Sequence, residues 1–572
     1  MIKKLLWAAL VGYGVFIVCF EAQAAKVYNA LHPYWREPVQ IDGKRFCRKS
    51  GDCGTILSET ADFVTVKWDK WGLEYFQKIK GSYGLVAQKK DYESEIDKEY
   101  RQLEYTFERP FVKLNPYEKA PMSVLIKFPT NEKAQITFRL KGYNGQNDIV
   151  QKIKGYRKEH ALALHGLYPD AVNLIEITAY TATGKEFKKT LTINTSRYIG
   201  NAFYNVSLKK DTKDLYYFTF DGYVVDEYGN VRYAFLPEGL IAYYLNGEIV
   251  TEARSSGLST YTLLGKLTGK YTYPKGFTSF QHGINVMPNG NFLVLGRQEG
   301  VTALNNGVDQ QTNWDQIIEL DKNTGKVVKR WDLGAVLNPD RKAIALSPTT
   351  APDNDWAHLN SVAYDETDDT LLVSARHIGM VKIAYANGAL KWIAGPNVEF
   401  DKSGRNGKGP SVEDKVLTAV DSAGKPYPEQ VQKGYEMRPG FKWPIRNHDA
   451  KIIGNGLYSI FDNSRLVSNP SVAVTQDSNA VIYQIDPAAM TIRQAWSKPL
   501  GNYSAVGSGV TYLPDEKDVV VYLSEIADKN SKHTYGKIQR YDYKTKEKLF
   551  EALLLKKGWI YRVDPFSWPE NE

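Results

Sequence analysis

Three histidines stand at the same position of a repeated sequence pattern. Each copy begins with a histidine, continues with a short apolar strand and a turn, and ends in a second apolar strand. The copies are FQHGINVMPNGNFLVL, AHLNSVAYDETDDTLLVSARH and RNHDAKIIGNGLYSIFDNSR, which contain His282, His358 and His448. A fourth copy, GSGVTYLPDEKDVVVYL, has Ser508 at the corresponding place. Imidazole side chains can act as nucleophiles, exchange protons or bind a metal ion.

Equivalent positions in successive structural repeats lie at equivalent radii and heights. We therefore predict that His282, His358 and His448 converge on one rim of a central channel. The chain has eight histidines, and the other five lack this context. We expect them to be structural or exposed; they are His32, His160, His165, His377 and His533.

Two further side chains near His358 could bind an anion. Asn360 follows two residues later, and we expect it on the same face of the strand. Arg376 and His377 are neighbours, so on a strand they would point to opposite faces. Arg376 is the better candidate for the channel, because a guanidinium offers a fork of donors that suits sulfate or phosphate oxygens. An inter-blade salt bridge is the alternative role for Arg376.

A metal site is a second interpretation of the same histidines. Three imidazoles with an open fourth position are a common zinc arrangement, and the sequence spacing does not exclude it. A fixed positive charge at Arg376 would repel a divalent cation, and no carboxylate clearly belongs to the repeat position. A third interpretation is a noncatalytic propeller that binds a polymer or a partner.

The elements that must position these residues are β-strands. Short alternating runs between residues 111 and 194 predict a small β-sandwich. Beyond residue 204 longer repeats, each with a hairpin, predict the blades of a β-propeller, and the length suits about six. We expect an all-β chain with an N-terminal region at 25–200, including the sandwich, and a propeller at 201–572. A polar stretch around 91–107 has helical character.

The N-terminus has the order of a cleavable secretory signal. Two lysines precede an apolar run, and Ala22-Gln23-Ala24 follows it, so we expect removal of residues 1–24. Cys47 and Cys53 then remain, six positions apart in a Gly-containing stretch, and a disulfide is the favoured interpretation. Export together with a cysteine pair indicates the periplasm.

The charge of the chain is modestly positive. The net charge of +8 is spread along the sequence without a basic block or a zinc-finger spacing, which argues against a nucleic-acid partner. A positive field suits an anionic substrate. No phosphate-binding G-x-x-x-x-G-K-[ST] motif is present, and we expect neither a nucleotide donor nor another cofactor.

The chain resembles the bacterial PAPS-independent arylsulfate sulfotransferases over most of its length. The histidine repeats, and above all H-x-N followed by S-x-R-H, carry the resemblance. The matching stretches are HGLYPD at His165, DWAHLNSVAYD at Asp355, LLVSARHIGMVKI at Leu371, KWIAGP at Lys391, RNHDAKIIGNGLYSIFDNSR at Arg446 and YRVD at Tyr561. The resemblance implies a β-sandwich followed by a six-bladed propeller.

The resemblance also implies a reaction. A sulfuryl group would pass from an aryl sulfate to His448, and from this sulfohistidine to a phenolic acceptor, by a ping-pong mechanism without a cofactor or metal. His282, His358, Asn360 and Arg376 would be the other site residues. A tyrosine and a small hydroxyl residue of the family's site would correspond to Tyr233 and Ser508. The family further suggests a homodimer.

Overall fold

The computed structural model describes most of the chain between residues 27 and 569. The gaps lie at 33–34, 43–44, 49–52, 60–62, 69–72, 80–81, 87–90, 144–145, 197–201, 211–214, 237–240, 254–256, 299, 306–307, 312–313, 340–354, 405–406, 466–472, 528–533 and 557–559. The predicted signal at 1–24 lies outside the described residues. No helix of the described part is long and apolar enough to cross a membrane.

The chain divides into two compact units, residues 1–102 and 103–572. The first contains a closed seven-stranded sheet that the sequence pattern did not predict. Its neighbouring strands are antiparallel, and a parallel pairing of the first with the seventh closes it. The strands are β1 (Val27–His32), β2 (Trp35–Asp42), β3 (Arg45–Arg48), β4 (Cys53–Glu59), β5 (Phe63–Trp68), β6 (Leu73–Ile79) and β7 (Ser82–Val86).

The predicted disulfide is present between β3 and β4. Cys47 lies directly opposite Cys53 in the antiparallel pair, and the two residues are bonded. A helix at Tyr92–Tyr100 follows the closed sheet and covers the first part of the polar stretch in which we expected helical character. Asp91 caps it by accepting a hydrogen bond from the backbone N–H of Ser94 at 3.1 Å.

The second unit begins with a six-stranded sheet organised around one long strand. Its strands are β8 (Phe111–Leu114), β9 (Ser123–Leu140), β10 (Ile149–Lys152), β11 (Arg157–His165), β12 (Val172–Thr181) and β13 (Glu186–Asn194). The first half of β9 pairs with β8 and β11, and its second half pairs with β10 and β12. Apolar residues from both halves share one core, which extends to Tyr223 and Ala234 of the next domain.

Seven further sheets follow among the described residues: six of four or five strands, as the repeats predict, and one of two strands. The strands are β14 (Ala202–Lys209), β15 (Tyr216–Thr219), β16 (Tyr223–Asp226), β17 (Val231–Ala234), β18 (Ile241–Leu245), β19 (Glu248–Ala253), β20 (Gly257–Thr262), β21 (Leu267–Tyr271), β22 (Phe277–Val286), β23 (Phe292–Gln298), β24 (Thr302–Asn305), β25 (Val308–Gln311), β26 (Trp314–Leu320), β27 (Val327–Trp331), β28 (Leu359–Asp365), β29 (Thr370–Ala375), β30 (Gly379–Ala384), β31 (Leu390–Ala394), β32 (Thr418–Ala419), β33 (His448–Gly454), β34 (Leu457–Asp462), β35 (Asn479–Asp486), β36 (Thr491–Pro499), β37 (Gly509–Leu513), β38 (Asp518–Ala527), β39 (Thr534–Asp542), β40 (Lys548–Lys556) and β41 (Val563–Phe566). Short helices interrupt them at Leu333–Ala335, Glu413–Lys415 and Glu429–Gln432.

The six larger sheets are the blades of a β-propeller, which confirms the predicted fold class, and β24 and β25 pair with each other outside the blades. The blades are β15–β17 with β41, β18–β21, β22–β23 with β26–β27, β28–β31, β33–β36 with β32, and β37–β40 with β14. Strands from both ends of the domain close the ring. The C-terminal strand β41 completes the first blade, and β14 is added to the edge of the last blade.

Each pair of neighbouring blades is held by its own apolar cluster. The alternation of side chains along a strand explains this, because successive residues face opposite neighbours. In the fourth blade Leu371 and Val373 pack towards the third blade, whereas Leu372 packs towards the fifth. In the first blade Val224 packs towards the second blade and Val225 towards the sixth. Both faces of these strands are therefore apolar at the positions that contact the neighbouring blades.

Candidate active site

The three repeat histidines lie where the innermost strand of a blade is irregular. The pairing of β22 shifts between Gln281 and Ile284, and His282 within this bulge has φ of 53°. His358 precedes β28 with φ of 51°, and the pairing shifts again at Leu359. His448 begins β33 beside another shift. Bulges turn a side chain away from the regular pleat, and left-handed backbone at non-glycine residues is concentrated at functional sites.

The histidines meet through their rings. His282 stacks on His358 with centroids 5.2 Å apart and also on Tyr561 at 5.4 Å. The same tyrosine meets His448 edge-on at 6.0 Å. Tyr561 therefore joins the nucleophile candidate to the other two histidines. Burial raises the pKa of Tyr561 to about 12, so its hydroxyl keeps its proton at neutral pH.

His448 is buried in its neutral form. Its Nδ1 lies 2.6 Å from Oδ1 of Asn463, whose Nδ2 donates to the carbonyl of Ser504 at 2.7 Å. Because the amide nitrogen is committed to a carbonyl, Oδ1 must accept, and Nδ1 of His448 must carry the proton. Burial, and next the positive charge of Arg376, hold the pKa of His448 well below its usual value. Nε2 thus has a lone pair, the requirement for nucleophilic attack.

His358 has a carboxylate partner, which distinguishes it from His282. Its Nδ1 is hydrogen-bonded to Asp355. Burial opposes ionisation of Asp355, but the charge of His358 and this hydrogen bond prevail and lower its pKa to about 2. For His282, burial and then the charges of His358 and Arg297 hold the pKa well below its usual value. His358 therefore has an ionised carboxylate as its partner, whereas burial keeps His282 neutral.

Arg376 and His377 lie in the turn between β29 and β30, not on a strand. The expectation that they point to opposite faces is wrong for this reason. The backbone N–H of Arg376 donates to the carbonyl of His358 at 3.0 Å, and the ring of His377 meets that of His358 at 5.7 Å. Arg376 donates from Nη2 to the carbonyl of Ala505 at 3.0 Å, and its buried Nε has no hydrogen-bond partner among the described residues.

Asn360 and Ser508 support the backbone of the site. Asn360 donates from Nδ2 to the carbonyl of Asn447 at 2.8 Å, and its Oδ1 accepts from the N–H of Asp449 at 3.2 Å. Its amide thereby brackets His448. The Oγ of Ser508 lies 2.8 Å from that of Ser504 and accepts from the N–H of Ser524 at 2.9 Å.

Tyr233 lies apart from these residues. It is buried on β17, in the apolar cluster between the first and second blades. The contacts with His282 and His448 are made by Tyr561 instead, so we correct the tyrosine of the site from Tyr233 to Tyr561. The chain has 38 tyrosines, and residue type alone did not distinguish the two.

The described residues offer one cluster with metal-binding geometry, and it differs from the one considered above. Ligand atoms of Asp355, His358 and His377 lie within 4.8 Å of one another. His282 and His448 are not members. The donors suit zinc, but Arg376 and Arg297 both act electrostatically on this cluster, and their positive charges oppose a divalent cation.

A cavity of about 390 Å³ lies along the inner strands beside the histidines. Its lining includes Gly283, Ser361, Asp449 and Arg562, which follow His282, Asn360, His448 and Tyr561 by one position. Arg562 and Asp449 form an ion pair of 2.8 Å at its wall. None of the three repeat histidines is among the described residues that line this cavity.

Several residues of the site escaped the sequence analysis although their signals were present. Asp355 stands three positions before His358 in DWAH, a spacing that suits a carboxylate–histidine pair. Asn463 directly follows the second strand of the His448 repeat. Tyr561 belongs to the YRVD stretch, which follows the last hairpin and so lay outside the repeat comparison.

Comparisons with known proteins identify the family of the chain. A family model described as arylsulfotransferase matches residues 181–562, and one described as arylsulfotransferase Ig-like domain matches residues 111–196. The chain is 30% identical over 328 residues to arylsulfate sulfotransferase AssT of Escherichia coli O6:H1, covering 50% of this chain and 52% of that protein. It is 28% identical over 325 residues to AssT of Lelliottia amnigena, with the same shares covered.

The aligned part spans about half the length of these curated relatives. Among solved structures, the β-propeller domain of Cps50 (Swd1) from Myceliophteria thermophila is 9% identical, covering 62% of this chain and 87% of that one with a TM-score of 0.32. That likeness adds nothing to the fold, which rests on the sheet topology. The family model spans more than half of the chain and contains the whole histidine cluster, and the protein therefore belongs to the arylsulfotransferase family.

Proposed function

We propose that the protein is an arylsulfate sulfotransferase that moves a sulfuryl group between phenols through a sulfohistidine at His448. The observation that carries this proposal is the state of His448. A neutral, buried imidazole has its Nδ1 proton fixed by Asn463, and its Nε2 is left as a nucleophile. Family membership supplies the substrate class, an aryl sulfate donor and a phenolic acceptor.

In the first half-reaction, Nε2 of His448 attacks the sulfur of the aryl sulfate. The N–S bond forms as the bond between sulfur and the aryl oxygen breaks, and the phenolate leaves. His358 in its protonated form gives a proton to that oxygen, as a general acid. Asp355 favours this role, because its carboxylate stabilises the imidazolium through Nδ1 and leaves the proton on Nε2 for transfer.

The second half-reaction reverses these steps with a new phenol. Its oxygen attacks the sulfur while His358, now neutral, takes the phenol proton. The N–S bond breaks, its electron pair returns to Nε2, and His448 is neutral again. Because the covalent intermediate separates donor from acceptor, initial rates should follow ping-pong kinetics.

Arg376 is the group best suited to the sulfuryl oxygens. Its Nε has no hydrogen-bond partner among the described residues, and it carries a permanent charge. That charge is also the one that most lowers the pKa of His448. Tyr561 and neutral His282 can donate further hydrogen bonds to the charge that develops. Asn360 and Ser508 have the supporting role, since their polar groups hold the backbone around His448 and Tyr561.

The wider setting follows the same proposal. We propose an exported, periplasmic enzyme with residues 1–24 removed, which the Cys47–Cys53 disulfide favours. The family also suggests a homodimer. Size-exclusion chromatography with light scattering tests the dimer, and N-terminal sequencing of the exported protein tests the cleavage.

The test of function is phenol-dependent turnover of 4-nitrophenyl sulfate by the full chain. We expect turnover in the wild type, a loss of at least 1,000-fold in His448→Ala, about the scale seen when a nucleophile is removed, and a sulfated peptide containing His448 after a quench without acceptor. His160→Gln is the control, because His160 lies on β11 outside the propeller. Turnover that survives in His448→Ala would exclude His448 as the nucleophile.

The metal-dependent hydrolase is the second candidate, and the cluster of Asp355, His358 and His377 is the observation in its favour. Elemental analysis of the purified protein separates the two. Stoichiometric zinc, with sulfate release lost to a chelator and restored by zinc, would support the hydrolase. The transferase predicts that a chelator leaves phenol-dependent turnover unchanged.

A further inference from the structure

Two arginines converge at the edge of the histidine cluster. Nη2 of Arg376 donates to the carbonyl oxygen of Ala505 at 3.0 Å, and Nη2 of Arg446 approaches the same oxygen at 3.5 Å. Two guanidinium groups thus share one neutral acceptor. Within the described part of the chain, neither has a carboxylate within 4.0 Å, although such pairs are frequent elsewhere in the propeller.

This pairing of like charges is costly in the absence of an anion. Burial, and then the charge of Arg446, lower the pKa of Arg376 to about 10. A third arginine adds to the field, because the guanidinium of Arg465 lies 5.0 Å from the ring centre of Tyr503. Concentrated positive charge in a partly buried place is the electrostatic signature of an anion site.

The two arginines hold different positions relative to His448. Arg376 is the charge that most lowers the pKa of His448, so it is the one suited to the sulfuryl group. Arg446 is half-buried and is held to one side: its Nη1 donates to the hydroxyl of Tyr503 at 2.9 Å and to the carbonyl of Arg465 at 3.2 Å. A guanidinium has five N–H donors. Those of Arg446 are only partly used by these bonds, and no carboxylate of the described residues lies within 4.0 Å of it to compensate its charge.

We propose that Arg446, oriented by Tyr503, forms a second anion subsite that selects phenols and aryl sulfates carrying a further anionic group, such as a carboxylate. This inference rests on the proposed function and names the substrate class of the same site. The sulfuryl group binds to the guanidinium of Arg376, and the anionic substituent of the ring pairs with that of Arg446. A fork of donors suits a carboxylate, and the partial burial of Arg446 strengthens the pairing.

The experiment compares three para-substituted acceptors of similar size, with 4-nitrophenyl sulfate as the donor. They are 4-hydroxyphenylacetate, which is anionic, 4-hydroxyphenethyl alcohol, which is neutral, and tyramine, which is cationic. The readout is the ratio of kcat/KM between the anionic and the neutral acceptor. In ping-pong kinetics kcat/KM for the acceptor reports the second half-reaction alone. We expect a wild-type ratio of at least 10 and the order anionic, neutral, cationic.

Arg446→Gln should lower this ratio at least tenfold, and Arg446→Glu should place tyramine first. Tyr503→Phe should lower the ratio partly, because Arg446 loses one anchor. Arg493→Gln, an exposed arginine on β36, is the matched control and should keep the wild-type ratio. If Arg446→Gln does not fold, Arg446→Lys and Tyr503→Phe carry the test.

The outcomes separate the inference from the proposed function. A wild-type ratio near 1, or equal losses for all three acceptors in Arg446→Gln, would overturn the subsite, while turnover itself would keep the transferase. The absence of transfer to any acceptor would overturn the proposed function first.

Discussion

The chemistry attributed to His448 depends on one amide. Asn463 follows β34 and presents Oδ1 to Nδ1 of His448, while its Nδ2 is fixed on the carbonyl of Ser504. An amide oxygen accepts the Nδ1 proton without adding a negative charge. A carboxylate in its place would stabilise the imidazolium, and Nε2 of His448 would then carry a proton and could not attack.

Asn463→Asp should therefore move the acid limb of the pH profile. The introduced carboxylate raises the pKa of His448, so a larger fraction of His448 is protonated at any given pH. The midpoint of the acid limb of kcat/KM should therefore move to higher pH by at least about one unit. The measurement is kcat/KM for 4-nitrophenyl sulfate between pH 5 and 9. Asn479→Asp, on β35 of the same blade, serves as the control. A loss of equal size at every pH would mean that Asn463 is only structural.

At this scale the sequence predicted residue types better than contacts. The sequence singled out the three histidines and Arg376, because repetition and charge are visible in a sequence, and the structure brings them together. The Asp355–His358 pair and Tyr561 were not identified as parts of the site. Left-handed backbone at His282 and His358 arises from the bulges of the inner strands and is not encoded by a preference of histidine.

At the scale of elements, the loop after β11 joins the sandwich to the first blade. Arg232 on β17 is buried and donates from Nε and Nη2 to the carbonyl of Gly166 at 2.9 and 2.6 Å. It also pairs with Asp226 at 3.2 Å, and its guanidinium lies 3.6 Å from the ring centre of Tyr168. One side chain thus binds the HGLYPD loop to the propeller.

Arg232→Ala should destabilise the second unit by about 3–5 kcal/mol, because the buried carboxylate of Asp226 would lose its positively charged partner. Arg232→Lys should not restore the wild-type stability, since an ammonium lacks the fork that reaches Gly166 and Asp226 together. The thermal midpoint, followed by calorimetry, is the measurement. Arg139→Gln breaks an exposed pair with Asp148 and should change stability by about 0–1 kcal/mol. Equal effects of the alanine and control variants would contradict this role for Arg232.

The elements themselves were partly predictable. Hairpins that repeat along the sequence indicated blades, because each blade needs the same alternation of apolar residues towards both neighbours. The closed sheet of β1–β7 has no such repeat and was not predicted. The closure by β14 and β41 also escaped prediction, since pairing between distant parts of the chain leaves no local pattern.

At the scale of the whole molecule, neutral buried histidines tie stability to pH. His165 ends β11 in the sandwich, lies 2.9 Å from Oγ of Ser123 through Nδ1, and stacks on Trp568 near the C-terminus. Burial lowers its pKa from 6.5 to about 3. His282, His377 and His448 also have pKa values held well below the usual range, chiefly by burial.

A lowered histidine pKa fixes the sign of this dependence. Between the folded and unfolded pKa values the unfolded chain binds more protons, so stability rises with pH in that window. The contribution of His165 is fully present above about pH 6.5 and is lost progressively as the pH falls towards 3. At pH 5 the loss from His165 alone is about 2 kcal/mol.

His165→Gln should reduce the fall in thermal midpoint between pH 7.5 and 5, although the variant is less stable at pH 7.5. Ser123→Ala removes the hydrogen-bond partner of His165, so its midpoint should be lower at every pH. Because the variant keeps the imidazole, the steep dependence on pH should persist. Parallel curves for His165→Gln and the wild type would show that His165 does not take up a proton on unfolding.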